Sequence, residues 1–203
     1  MKSKLFLIGL ITILCLIGCG NNSAIQTSIS SDLNNNSDLY TTMTLIDGIK
    51  YQIPKSWENK EYKESNGLGH NVGIGYYLEM SGNIKEGTSG SGMVGVDTGN
   101  VVEGIELYVS KQDLLESMTL SETLDYLKEY LASENVEYED VSIGKLKGIK
   151  SNQDDKTTTY VFPLNNSMLF GYSVISDKSK LTSHTEEIEY VINSITIDTS
   201  LSE

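Results

Sequence analysis

"TTTYVFPLNNSMLFGYSVIS", residues 157–176, is the stretch that decides the fold of this chain. Two runs rich in β-branched and aromatic residues, 157–164 and 167–176, flank the pair Asn165-Asn166. Runs of this composition favour β-strands, and asparagines between two such runs are typical of a tight turn. The sequence therefore predicts an antiparallel hairpin in this part of the chain.

Four further segments carry the same strand pattern. Apolar residues alternate with other residues in "GIGYYLEM" (73–80) and "IELYVS" (105–110), which predicts strands with one buried face. The segment "VSIGKLKGIKS" (141–151) predicts short, twisted strands. In "TMTLIDGIKYQIPKSW" (42–57), Asp47-Gly48 separates two apolar runs and predicts a hairpin with a type I′ turn.

The alternation also divides the tyrosines between two faces of the predicted sheet. Tyr76, Tyr160 and Tyr172 fall on the inward face, so we expect them in the core. Tyr77 and Tyr108 point to the other face, which helices can cover. The number of tyrosines alone therefore does not indicate a binding site.

Two segments have the period of amphipathic helices. In "MTLSETLDYLKEYLASEN" (118–135), Thr119 and Glu122 form a predicted capping box. In "SHTEEIEYVINSITI" (183–197), Ser183 and Glu186 form a second one. Hairpin-linked strands interrupted by two such helices predict an α+β fold, an antiparallel sheet with helices packed on it, in a single domain over residues 41–203.

The first 18 residues, "MKSKLFLIGLITILCLIG", have the three parts of a bacterial export signal. Lys2 and Lys4 come first, an apolar run from Leu5 to Ile17 follows, and a small residue ends it. As a helix this run would reach about 20 Å, which is short for a hydrocarbon core of about 30 Å. We interpret residues 1–18 as a lipoprotein signal peptide.

The end of that signal matches the bacterial lipobox, in which signal peptidase recognises three residues before a lipidated cysteine. Leu16, Ile17 and Gly18 are the predicted recognition residues, and Cys19 is the predicted lipidation site. Residues 19–40 would then be a lipidated N-terminus and a disordered tether, since they are rich in Asn, Ser and Asp. The alternative is an ordinary secretory signal or short membrane anchor in which Cys19 is incidental.

Lipidation at Cys19 would leave the mature chain without a free thiol, because Cys15, the other cysteine, would leave with the signal. A disulfide, a cysteine nucleophile and a cysteine metal site would all be excluded. The net charge of −13, with no arginine among the residues, argues against nucleic-acid binding. The predicted partners are instead the membrane, through a diacylglycerol on Cys19, and an unknown extracytoplasmic protein.

The motifs that would indicate cofactor binding or catalysis lack the flanking structure that these functions require. Residues 90–95 spell G-x-G-x-x-G, but dinucleotide binding requires a strand before this motif and a helix after it, and neither is predicted. Residues 81–104 are better interpreted as a long loop or a glycine-rich hairpin. His70 and His184 have no nucleophile motif to serve.

Carboxylates are numerous but form no recognisable site in the sequence. Four of them follow the first helix: Glu134, Glu137, Glu139 and Asp140. Asp154-Asp155 is predicted to lie in a turn, and no calcium-binding loop motif is present. We therefore predict no catalytic residues, no cofactor-binding residues and no metal ligands.

Three passages resemble the PsbP-like superfamily, whose members include a photosystem II extrinsic subunit, a Ran-binding nuclear import factor and many bacterial lipoproteins. They are "YQIPKSW" (51–57), "LSETLDYLKEYL" (120–131), and "LFGYSVIS" followed by "EEIEYVINSITI" (169–197). The similarity spans about residues 43–198. It implies an antiparallel sheet between helices, and binding to proteins or membrane complexes without catalysis. The glycine-rich stretch 87–104 departs from that pattern.

Together these observations predict a lipid-anchored lipoprotein on the extracytoplasmic side of the cell membrane. Its domain is expected to be a non-catalytic protein-binding or accessory module. The alternative is a carboxylate-based hydrolase, or a carbohydrate- or small-ligand-binding lipoprotein, that uses carboxylates around residues 81–104.

Overall fold

The computed structural model describes residues 38–59, 62–67, 71–81, 86–88, 94–96, 101–152, 154–165, 167–180 and 183–201. Within these ranges the chain forms a seven-stranded sheet, a three-stranded sheet, a two-stranded hairpin and two α-helices. All strand pairs are antiparallel. The predicted α+β class with an antiparallel sheet and packed helices is confirmed.

The helices are α1 (Leu120–Ser133) and α2 (Thr185–Asn193). The strands are β1 (Tyr40–Ile46), β2 (Ile49–Pro54), β3 (Tyr62–Gly67), β4 (Asn71–Met80), β5 (Glu86–Thr88), β6 (Val94–Val96), β7 (Val101–Lys111), β8 (Tyr138–Ile143), β9 (Leu146–Asn152), β10 (Thr157–Leu164), β11 (Met168–Ser176) and β12 (Thr196–Ile197). The large sheet has the order β3-β4-β7-β11-β10-β9-β8, and the small sheet has the order β1-β2-β12. Strands β5 and β6 pair with each other.

The hairpin predicted at residues 157–176 is present as β10 and β11. The two strands pair in register from Thr157 with Ile175 to Leu164 with Met168. Ser167, in the connecting turn, has φ +62°, a left-handed conformation that closes the short loop. Because β11 also pairs with β7 along its other edge, this hairpin lies in the interior of the large sheet.

The first hairpin is also present, but its turn is not the predicted type I′. Gly48 has φ +87°, whereas Asp47 is not in the positive-φ region that a type I′ turn requires at both positions. The pairing of β1 with β2 shifts between Thr44 and Ile46, which marks a bulge. A bulge increases the local twist, so the strands can meet without the mirror-image turn.

One face of the large sheet carries the main hydrophobic core. Ile105, Leu107 and Phe170 from this sheet are fully buried against β2 and α2, which contribute Ile53 and Val191 among others. Polar atoms within this core pair with each other. The hydroxyls of Tyr51 and Tyr76, for example, are 2.9 Å apart and hydrogen-bond to each other.

Trp57 has no exposed surface and belongs to the main core. Its ring lies 5.6 Å from that of Tyr76, and its indole N–H donates to Glu187 of α2. The short 3₁₀ helix Lys55–Asn59 that follows β2 brings Trp57 to this position. The segment "YQIPKSW" therefore connects the small sheet, the large sheet and the closing helix.

Helix α1 packs on the opposite face of the large sheet. It contacts β9 and β10, and Lys128 on the helix forms an ion pair with Asp140. Asp140 points away from the core face because its neighbours Val141 and Ile143 contact the main core. The capping box of Thr119 and Glu122 is present as predicted.

The second predicted capping box, Ser183 with Glu186, is wrong. The N-cap of α2 is His184, and no side chain of the segment itself caps the helix. Glu103 of β7 performs this function instead: its Oε2 accepts from the amides of Ser183 and His184, each at 2.9 Å. Its Oε1 accepts from the hydroxyl of Thr185 at 3.2 Å. A carboxylate at the positive end of a helix also interacts favourably with the helix dipole.

Residues 81–104 are partly strand rather than one long loop. Strand β7 starts at Val101, before the predicted loop ends, and β5 pairs with β6 as a hairpin. In the G-x-G-x-x-G motif, residues 90–93 lie outside the described residues, while Val94 and Gly95 belong to β6. The end of the motif is therefore part of a strand, and the hairpin of β5 and β6 agrees with the glycine-rich hairpin that was the second interpretation of residues 81–104.

We predict that Glu103→Ala lowers the free energy of unfolding by about 1–3 kcal/mol, since it removes an N-terminal cap and leaves partly buried donors without their acceptor. Glu103→Gln should lose less, because its amide oxygen can still accept. Urea unfolding measures the free energy of unfolding of both variants. Thr119→Ala is the matched control, because it removes the exposed N-terminal cap of α1. Equal stability of Glu103→Ala and the wild type would contradict the capping role.

Candidate interaction surface

The predicted lipidation residues, Leu16, Ile17, Gly18 and Cys19, lie outside the described residues, as does the predicted tether up to residue 37. The first described strand, β1, begins at Tyr40. Among the helices in the described part of the chain, none has the length and apolar character needed to span a membrane. The anchor therefore remains a prediction from the sequence.

Of the two histidines that the sequence analysis weighed for catalysis, His184 lies within the described ranges and His70 lies outside them. Its Nδ1 lies 2.7 Å from Oε2 of Glu187, one turn further along α2. The same oxygen accepts from the indole N–H of Trp57 at 3.1 Å. These contacts join the start of α2 to the core tryptophan, which is a structural role.

Glu106 on β7 is a carboxyl held among aromatic side chains on the α1 side of the large sheet. The hydroxyl of Tyr77 donates to its Oε1 at 2.6 Å. Burial raises the pKa of Glu106, and the hydrogen bond from Tyr77 offsets part of that rise. Burial and the nearby charge of Glu106 also raise the pKa of Tyr108.

Two glycines allow the tyrosine rings of this cluster to lie flat on the sheet. A Cβ atom at Gly75 would collide with Tyr77, and one at Gly171 would collide with Tyr108. The rings therefore occupy the space above the glycines and pack around Glu106.

Two aspartates in turns accept local hydrogen bonds. Asp154 accepts from the amides of Lys156 and Thr157 at 2.8 and 2.6 Å, which closes the turn before β10. Hydrogen bonds from the hydroxyl and amide of Ser179, together with Lys156, lower the pKa of Asp177 to about 2. Both carboxylates stabilise the backbone around them.

The acidic residues after α1 lie on the surface, as solvated charges would. Glu139 and Asp140 belong to β8, and each binds one lysine: Lys150 lies 3.0 Å from Glu139, and Lys128 lies 2.6 Å from Asp140. The hydrogen bond to Asp140 raises the pKa of Lys128. In the portion of the chain that the structure describes, no three His, Cys, Asp or Glu side chains converge as metal ligands would.

Strand β8 is the terminal strand of the large sheet, and we call Glu134, Glu137 and residues 138–143 the β8 edge surface. β8 pairs with β9 alone among the described strands. Tyr138, at its start, is 38% exposed and is one of three large hydrophobic side chains that are exposed in the described ranges. An edge strand presents unpaired N–H and C=O groups that another chain can bind.

The sequence analysis identified the acidic residues but not the two glutamates inside β7. Each of them lies on a face of β7 that otherwise carries apolar or aromatic side chains. Glu103 is on the same face as Ile105, and Glu106 is on the same face as Tyr108. A charged residue in phase with buried neighbours was the available signal. The partners, α2 for Glu103 and Tyr77 for Glu106, depend on tertiary structure.

Comparison with known proteins finds solved structures with a similar arrangement. No family profile matches the chain, and no curated protein matches it. The chain is similar to the solution structure of cyanobacterial PsbP (CyanoP) from Synechocystis sp. PCC 6803, with 10% sequence identity and a TM-score of 0.43. The match covers 83% of this chain and 98% of that chain. Membership of the PsbP-like superfamily remains a proposal.

We predict that Glu106→Gln stabilises the protein more at about pH 7 than at about pH 4. The raised pKa of Glu106 means that ionisation costs the folded state. The contribution of Glu106 to the free energy of unfolding is therefore complete below the pKa that its carboxyl has in the unfolded chain. It is lost as the pH rises through the higher pKa of the folded protein. Glutamine removes this loss, while its amide oxygen can still accept from Tyr77.

Thermal unfolding at the two pH values measures the effect, with the exposed Glu116→Gln as the matched control. The difference in Tm between Glu106→Gln and the wild type should grow with pH, whereas the control difference should stay constant. A difference for Glu106→Gln that does not change with pH would contradict the assigned environment.

Proposed function

We propose that this protein is an extracytoplasmic lipoprotein, held to the cell membrane by a diacylglycerol on Cys19, whose domain is a non-catalytic protein-binding or accessory module. The single observation that carries the binding role is that no described strand pairs with the outer edge of β8, which begins with the exposed Tyr138. The anchor rests on the lipobox at residues 16–19.

The charge of the chain supports an anchor made of lipid rather than of basic residues. The protein carries a net charge of −13, so its surface is repelled by anionic headgroups within a Debye length of about 8–10 Å. Two acyl chains supply much stronger attachment than one, because each buried methylene contributes about 0.8 kcal/mol. A tether of roughly 20 residues would keep the domain some 25 Å from the lipid.

The edge of β8 supports binding to a protein rather than to a small ligand. A small-ligand site is usually a concave pocket that encloses most of the ligand. At the β8 edge surface, by contrast, the side chains of Tyr138, Glu139 and Asp140 are all exposed. Tyrosine is enriched among the residues that dominate protein interfaces, where its ring supplies area and its hydroxyl a hydrogen bond. The PsbP-like passages in the sequence agree with an accessory role.

We predict that Cys19→Ala abolishes both lipid labelling and membrane retention, whereas the matched control Cys15→Ala changes neither. Cys19 would supply the sulfur that takes the diacylglycerol, and Cys15 would be removed with the signal. Labelling with an alkyne-bearing palmitate and mass spectrometry of the mature N-terminus measure the outcome. A labelled Cys19→Ala protein, or a mature wild-type chain that begins elsewhere, would overturn the anchor.

We predict that a photo-crosslinking amino acid at position 138 of the full chain captures one discrete membrane-associated protein in cells. Leu114 is the matched control position, because its apolar side chain is 45% exposed. It precedes the start of α1, whereas Tyr138 follows the end of that helix. The 14 residues of α1 separate the two positions by about 20 Å. Capture from both positions alike, or from neither, would count against a binding function of this surface.

A further inference from the structure

Glu106 lies in the middle of the large sheet, on the face that also carries α1. Its cross-strand neighbours are Gly75 on β4 and Ser173 on β11. Gly75 has no side chain, and the hydroxyl of Ser173 hydrogen-bonds to that of Thr159 at 3.0 Å. Helix α1 contacts β10 and β9, which lie beyond β11 in the sheet. The nearest neighbours of Glu106 across the strands therefore leave its carboxyl to other partners.

One oxygen of this carboxyl is engaged, and the other is available as an acceptor. The hydroxyl of Tyr77 donates to Oε1 at 2.6 Å, and among the described residues this is the hydrogen bond that Glu106 makes. The ion pairs within the described ranges do not include Glu106. A carboxylate can accept about four hydrogen bonds. Burial raises the pKa of Glu106, as it does for a charge that its surroundings do not compensate.

Tyrosine rings border the carboxyl, and the group is accessible from solvent. Glu106 and Tyr108 are each partly exposed, whereas Tyr77 is 7% exposed. The ring of Tyr77 lies over Gly75, and the ring of Tyr108 lies over Gly171. The faces of aromatic rings attract cations, and electrostatic attraction is stronger where water is partly excluded. Rings beside a carboxylate that lacks a compensating charge therefore favour a cationic ligand.

The hydrogen bond from Tyr77 selects among the possible cations. A guanidinium binds a carboxylate through two parallel hydrogen bonds, one to each oxygen, but Tyr77 already donates to Oε1. A quaternary ammonium has no N–H group to donate. A primary ammonium is a compact charge with three donors, and it can bind through one oxygen. The available oxygen therefore favours a primary ammonium group.

We infer that Glu106, Tyr77 and Tyr108 form a binding site for a small organic molecule that carries a primary ammonium group. The ammonium donates to Oε2 of Glu106, and the methylene groups next to it pack on the tyrosine rings. Tyr77 orients the carboxyl through Oε1. Three strands lie between β7 and β8, so the site is about 19 Å from the β8 edge surface. This inference goes beyond the proposed protein-binding function and does not rest on it.

Isothermal titration of the mature full chain tests the site with three small probes at about pH 8, where an alkylammonium remains charged. Propylammonium has charge and N–H donors, tetramethylammonium has charge without donors, and 1-propanol has a donor without charge. Propylammonium should bind about tenfold or more tightly than either of the others, because a hydrogen bond between charged groups is a strong one. Equal binding of propylammonium and tetramethylammonium, or no binding of propylammonium, would overturn the inference.

Two matched variants separate a local contact from general attraction to an acidic protein. Glu106→Gln removes the charge, keeps an acceptor for Tyr77, and should weaken binding of propylammonium by about tenfold or more. Because this variant is expected to be more stable than the wild type at neutral pH, unfolding would not explain the loss. Glu116→Gln removes an exposed charge and should weaken binding by less than about twofold. Equal weakening would mean that only the net charge matters, and the site would be rejected.

Amide chemical shifts locate the bound probe independently of the variants. Propylammonium should shift the amide resonances of Gly75, Tyr77, Glu106 and Tyr108, and it should leave those of β8 unchanged. Glu106→Gln should remove these shifts at the same probe concentration. Shifts confined to residues outside β4, β7 and β11, or equal shifts in the wild type and Glu106→Gln, would contradict the assigned site.

Discussion

The carboxylate of Glu103 at the start of α2 is the interaction on which the arrangement of this domain depends. It fixes the closing helix to a central strand of the large sheet through the amides of Ser183 and His184. Once α2 is fixed there, its apolar side packs into the core, and Glu187 reaches the indole of Trp57. The buried charge is tolerated because donors and a helix dipole surround it. One residue thereby connects the large sheet, the helix and the small sheet beneath it.

Much of this architecture follows from patterns that are local in the sequence. Alternation correctly assigned the hairpin of β10 and β11 and the inward positions of Tyr76 and Tyr172. The cap of α1 was predictable because Thr119 and Glu122 satisfy each other within one turn. These features depend on side-chain period and on hydrogen bonds between near neighbours, which a single sequence contains.

The features that sequence reasoning missed depend on residues far apart in the chain. The amides of α2 could be capped by Ser183 or by any acceptor nearby, and the sequence does not show that Glu103, eighty residues earlier, reaches them. The exposure of β8 likewise follows from the order of strands in the sheet, which alternation does not determine. The predicted lipobox is the reverse case: it depends on residues 1–19 alone, and the folded domain provides no information about it.

The two ends of the domain share one sheet, and this has a consequence for the nascent chain. Thr196 and Ile197 of β12 pair with Lys50 and Ile49 of β2, and the amide of Asp198 donates to the carbonyl of Gly48. A ribosome delivers β2 long before β12, so the small sheet cannot be completed until translation is almost finished. If the chain is exported unfolded, as the proposed signal peptide implies, this late closure would delay premature folding and keep the chain competent for translocation.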